Sequence, residues 1–194
     1  QRCGTPCIAP LPPYGRAGTR RWLEEIFAAL PPTHGDDVIA EIDEAERRDF
    51  LRINDLKNTW GELLFDTVLI RAPRSSAWGL AEALRTEWAD VRRLAVAAEA
   101  VEAADATGIA DEVFSETHTA ELAQFLTSMK NGLLLASSNE AAQVAPQHAQ
   151  FLPVASPVLD RIQLTDAPFM GLRGSRFIEE QLWNGHIPRR QWML

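Results

Sequence analysis

Three stretches of the chain carry residue types that could do chemistry. Ser137-Ser138-Asn139 follows the apolar run "GLLLA", so polar side chains stand where a strand is expected to turn into a helix. Hydroxyls and backbone N–H groups at such a turn can hold an anion, and they serve equally well as plain N-caps. The second stretch, "SPVLDRIQLTDAPFMGLRGSRFIEEQLWNG" at 156–185, sets Asp160-Arg161 and then Gly171, Arg173 and Gly174 ahead of a helix predicted to begin near Ser175. Glycines there let the backbone turn its N–H groups toward a neighbour. Arg161 and Arg173 could line a substrate-facing or subunit-facing surface, or could join Asp160 in ion pairs that only tie the loop down. The third stretch is Cys3 to Cys7. Two thiols could contribute to a soft-metal or cluster site but cannot complete the usual four ligands, and two small buried residues are the plainer expectation.

Other candidates carry less. "RAPRSSAWG" at 71–79 offers arginines and serines without a G-x-G-x-x-G or Walker A pattern, which argues against dinucleotide or P-loop binding. His34, His118, His148 and His186 lack metal-ligand spacing with carboxylates or cysteines, and the six tryptophans are expected as core or interface anchors.

These residues need elements to position them. Apolar spacing predicts a helix over 19–30 with Thr19 as N-cap and Pro31-Pro32 as its stop, then a long, largely exposed helix over about 36–60. "DTVLIRA" at 66–72 reads as a buried strand, 75–88 as an amphipathic helix and 91–97 as a second strand. Residues 98–108 have no clear stripe and are expected as loop or short helix. A weak strand at 111–116, a helix at 117–130 capped by Thr117 or Thr119, and a strand at 132–136 follow. A helix over 138–149 bent or ended near Pro146 and a strand at 151–155 complete the series. Alternation at this spacing defines βαβ units, so the fold class is α/β, a Rossmann-like three-layer domain with a mostly parallel sheet flanked by helices. Ligands in such sheets sit at the carboxyl ends of the strands. The turns at 72–76 and 136–140 and the loop from Ser156 are therefore the places to look.

At 194 residues the chain is expected to be one domain, 1–194, with an opening strand and two helices in 1–60 and a βαβ core in 61–194. The net charge of −8 and scattered basic residues argue against a nucleic-acid partner, and no apolar run reaches the roughly 18 residues of a membrane span. Two cysteines near the terminus and no signal peptide predict a cytoplasmic protein. A chain that opens on Gln1 is expected to be a fragment or a processed product.

Motif order resembles a known family. "CGTPCIAPLPPYGRAGTRRWLEEI" is similar to the G-x-P strand, proline-and-glycine turn and threonine-led helix of nitrogenase component 1 proteins and their relatives. "LLLASSNEAAQVAPQHAQFLPVASPVLDRIQLTDAPFMGLRGSRFIEEQLWNG" is similar to that family's final βαβ unit, where P-x-x-D-R and a glycine-rich turn precede a helix. Dark-operative protochlorophyllide reductase, chlorophyllide reductase and the nitrogenase cofactor-assembly scaffolds share this architecture. The resemblance covers nearly the whole chain and implies the C-terminal part of a component 1 subunit. It implies an assembly that takes electrons from an ATP-dependent iron–sulfur reductase and passes them to a buried substrate site, with a paired component 1 subunit as partner. It also implies an iron–sulfur cluster in the whole complex, whose cysteine ligands precede the segment that resembles this chain. Cys3 falls inside the strand phrase and 156–159 lacks the family's histidine, so a non-cofactor-ligating subunit with no cofactor or metal bound by this segment alone is expected. A metallocluster-assembly scaffold and a stand-alone interaction domain are the alternatives.

Overall fold

The computed structural model describes residues 11–29, 35–99, 108–115, 117–159, 161–162 and 168–191. The opening strand around Cys3, the Pro31-Pro32 stop and most of 98–108 lie outside these residues. Among the described residues five parallel strands form one sheet: β1 (Leu64–Arg71), β2 (Asp90–Ala97), β3 (Glu112–Phe114), β4 (Gly132–Ala136) and β5 (Ala149–Pro153), in the order β3-β2-β1-β4-β5.

β1 lies at the centre because its sequence can be buried on both faces. Val68, Leu69 and Ile70 are fully buried, with Leu69 in register with Ala95 of β2 and Leu134 of β4. Val68 and Ile70 join Leu94, Val96, Leu133 and Leu135 in one core, covered by α3 (Arg74–Ala83) and α6 (Gly171–Gln191). Leu69, Ala95, Leu134 and Ala136 face the other way, against Leu122, Phe125 and Leu126 of α4 (Thr119–Ser128). Near-continuous apolar runs of this kind are what a sheet covered on both sides requires. The α1 helix (Gly15–Ala29) packs outside α3 and α6, and α2 (Gly35–Trp60) packs on α1 and α6. The three-layer α/β expectation is met. Among the described residues no helix is long and apolar enough to cross a membrane.

Several boundaries differ from the sequence reading for identifiable reasons. α1 starts at Gly15, so Thr19 stands a turn inside it and donates its hydroxyl to the Gly15 carbonyl. The free N–H groups of Arg16 and Ala17 are capped by the Glu87 carboxylate at 2.8 Å each, an acceptor about seventy positions away that a local search for caps cannot find. The helix expected over 75–88 is α3 followed by a π-helical turn, Leu84–Trp88. That turn holds Trp88 in the core, its indole N–H donating to Ser175 Oγ at 2.9 Å, and presents Glu87 to α1. α4 begins after His118 with no side-chain cap, so neither Thr117 nor Thr119 serves as one. The helix expected over 138–149 shrinks to one turn, α5 (Ser138–Ala141), before β5 starts at Ala149.

Candidate functional site

The strand order reverses between β1 and β4. The chain leaves β1 for β2 through α3 on one face and reaches β4 from β3 through α4 on the other, so their exit turns part and leave a crevice at the carboxyl ends. A cavity of about 940 Å³ occupies this position, lined by Arg71 at the end of β1 with Ala72 and Pro73 after it, Ala97 at the end of β2 with Ala98 after it, Ser115 after β3, and Ser137 and Asn139 after β4.

The crevice is braced by a polar chain that sequence reasoning had not assembled. Glu140 is buried at the base of α5, accepts the Ser137 backbone N–H at 3.1 Å and its hydroxyl, and pairs with Arg71 at 3.0 Å. Ser137 Oγ accepts the Asn139 N–H at 3.2 Å. Ser137 and Glu140 thus form a reciprocal capping box. The Ser-x-x-Glu spacing was the available signal, whereas its bridge to Arg71 needs β1 and β4 to be neighbours. The Ser115 N–H, after β3, donates to His118 Nδ1 at 3.0 Å, and its hydroxyl lies 2.9 Å from the same nitrogen.

The residues singled out from sequence divide into two groups. Ser137 and Asn139 line the cavity, as does Ser156. Ser138 sits just behind: its N–H donates to the Pro157 carbonyl at 2.9 Å and its hydroxyl accepts the Leu159 N–H at 2.8 Å, which clips the loop after β5 to the turn after β4. Arg161 is exposed and reaches Gln181 Oε1 of α6 at 3.5 Å. Asp160 lies outside the described residues. Gly171, Arg173 and Gly174 are not a loop but the first turn of α6, which starts four residues earlier than expected. Gly171 has φ +74° and donates its N–H to the Pro13 carbonyl at 2.8 Å, while Arg173 is exposed. This turn lies near Ser175, under Trp88 where β2 begins, because Ile178, Leu182 and Trp183 must cover the sheet face that α3 leaves open. None of these four is among the cavity's lining residues.

A second polar centre fastens α1 and α2 to this side. The Arg16 guanidinium pairs with both oxygens of Glu179 on α6 at 2.8 Å, and its Nε lies 3.3 Å from Glu87. Arg176 donates to both oxygens of buried Asp49 on α2 at 2.8 Å. Burial pushes the Glu179 carboxyl above its ordinary range, with the bond and charge of Arg16 opposing and nearby Glu87 and Asp49 adding to the rise. Burial also opposes the charge on Arg16, but its bonds to Glu179 and the nearby carboxylates outweigh this and hold the guanidinium protonated.

No group of three or more His, Cys, Asp or Glu side chains able to hold a metal occurs among the described residues. His118 heads α4, His148 is exposed before β5, and His186 is buried edge-on to Phe65. Cys3 and Cys7 lie outside the described residues.

A doubly wound parallel sheet with a polar crevice at its switch point defines the class, a three-layer, Rossmann-like α/β domain. Residues 1–185 match the family described as nitrogenase component 1 type oxidoreductase, and the chain belongs to that family. A comparison with curated proteins found no match.

Proposed function

We propose that the chain is the C-terminal α/β part of a subunit of a nitrogenase-like, ATP-dependent iron–sulfur oxidoreductase, and that its crevice faces the buried site where substrate receives electrons. The observation that supports this reading most directly is the cavity at the β1–β4 switch point in a member of this family. Its wall mixes hydroxyls, the amides of Asn139 and Gln143 and the charged Arg71, Glu99 and Glu140 with apolar surface, which suits an organic substrate that carries polar groups. The subunit is proposed to ligate no cofactor through the residues around the cavity, and to work with a paired component 1 subunit and an iron–sulfur reductase. Arg161 and Arg173, exposed and away from the cavity, are proposed to face the paired subunit.

Filling the crevice tests the first part. Asn139→Trp and Ser76→Leu place bulk on the lining without removing a buried charge partner. In the complex reconstituted with its reductase and ATP, each should lower turnover about tenfold or more while the Tm stays within a few degrees. Unchanged turnover in both would reject the crevice as the site. Arg161→Ala and Arg173→Ala should instead weaken subunit association with the Tm preserved, and normal assembly of both would return these arginines to the solvated surface.

A further inference from the structure

The two helices that precede β1 are attached differently from the rest of the fold. Among the described residues, none of α1 or α2 belongs to either apolar core of the sheet, and Ile42 and Ala45 of α2 are buried outside both. The buried positions of α1 are Gly15, Gly18 and Thr19, while its large apolar residues Trp22, Leu23, Ile26 and Phe27 are only half-buried. In place of a shared core, charges join this layer to the body. Arg16 holds Glu179 and Glu87, Arg21 donates to both oxygens of Glu82 on α3 at 2.6 and 2.7 Å, and Asp49 accepts from Arg176 through both of its oxygens. Within the layer Arg20 of α1 pairs with Asp43 and Glu46 of α2, so the two helices are tied to each other.

Separating a partly buried ion pair returns both charges to water, so such pairs contribute much less net stability than a well-packed apolar core. The layer therefore leaves at a lower free energy than the sheet unfolds. Because α1 and α2 both come before β1 in the chain, their departure withdraws no strand. Helices in proteins owe most of their stability to packing, so both melt once released. On α6 the attachments fall on Gly171, whose N–H donates to the Pro13 carbonyl just ahead of α1, and on Arg176 and Glu179. Farther along, Leu182 and Trp183 anchor α6 separately in the sheet core. The first turns of α6 follow the segment whose residues Val154, Ala155 and Ser156 line the crevice.

We propose that α1 and α2 form a latch that docks and undocks as one unit while the sheet stays folded, fixing the first turns of α6 when closed and freeing them when open. The latch is independent of the reaction that the crevice serves.

Native-state hydrogen exchange of the whole chain, read by mass spectrometry in urea below the main unfolding transition, tests it. After correction for intrinsic rates, peptides from α1, α2 and 171–177 should open together and exchange about tenfold or more faster than those of β1 and β4. Arg21→Ala is the decisive variant. Its partner Glu82 is on α3, so a purely local effect would stop at α1 and α3. A latch transmits the loss: exchange should rise by about threefold in α1, α2 and 171–177 together, with β1 and β4 unchanged. Glu82→Gln, which weakens the same pair from the α3 side, should give the same joint rise. A wild-type protein whose α1 and α2 exchange at the rate of β1 and β4 overturns the proposal. So does a rise confined to α1, a rise in α1 and α2 that leaves 171–177 untouched, a rise shared equally by β1 and β4, or no rise in either variant.

Discussion

Arg16→Ala should destabilise the protein by about 3–5 kcal/mol, a large share of the stability of an ordinary domain. The side chain is only 13% exposed and holds Glu179 through two bonds, with Glu87 at its Nε and those carboxylates 9% and 10% exposed. Removing the guanidinium leaves two buried carboxylates facing each other, with the Asp49 charge close by. The loss therefore far exceeds that of a surface ion pair. Glu179→Gln is the informative partner. It keeps the shape and an acceptor for Arg16 while removing a charge whose burial is costly, so it should cost no more than about 1–2 kcal/mol.

The sign of the pH dependence follows from Glu179. Burial raises its folded-state pKa, so its contribution is fully present below the ordinary carboxylate range and is lost as pH rises through the folded value. Without Arg16, the bond and charge that oppose the rise disappear, and the carboxyl takes up its proton at a still higher pH. The deficit of Arg16→Ala relative to wild type should therefore shrink between about pH 7.5 and about pH 5, measured by urea unfolding of both proteins. Arg176 and Asp49 remain paired in the variant. A deficit constant across that range would show that Glu179 is not the group left exposed to the change.

Gly174→Ala should lower stability by about 2–3 kcal/mol, although alanine is the better helix former. A Cβ at this position would lie 2.3 Å from the carbonyl carbon of Phe169 and 2.6 Å from its oxygen. Those are backbone atoms of the turn that opens α6, so no side chain can swing aside and the helix must shift from its seat under Trp88. For a chain of this size the Tm should fall by roughly 5–10 °C. Gly171→Ala is the control: its Cβ would meet nothing within 4 Å, but φ +74° strains any residue with a side chain. It should cost about 1–2 kcal/mol through the backbone alone. A Gly174→Ala protein that melts at or above wild type would refute the close approach.

Much of the architecture was legible because it depends on local patterning. The apolar run in "DTVLIRA", the "GLLLA" strand and the periodic helices at 19–30, 36–60 and 117–130 each carry enough signal within a few residues to identify their element. Their alternation implies parallel strands, helices on both faces and an interest in the carboxyl ends. Motif order across the chain was enough to place it near the family that residues 1–185 match. Within the crevice, Ser137 and Asn139 were visible because small polar residues after a buried strand mark a turn.

What was not legible depends on residues far apart in the chain. The order β3-β2-β1-β4-β5 brings Arg71 onto Glu140 and so forms one crevice wall, yet neither residue signals the other locally. The Glu87 cap on α1, and Arg16 held between Glu87 and Glu179, join three elements by ion pairs that no window contains. Gly174 looked like a flexible loop glycine, and the structure makes it a point of close packing inside α6. Sequence by itself determined the kinds of element, their succession and the family. Tertiary structure alone decided which turns meet at the switch point and where the charges are buried, because burial and long-range pairing arise only once the sheet has brought distant segments into contact.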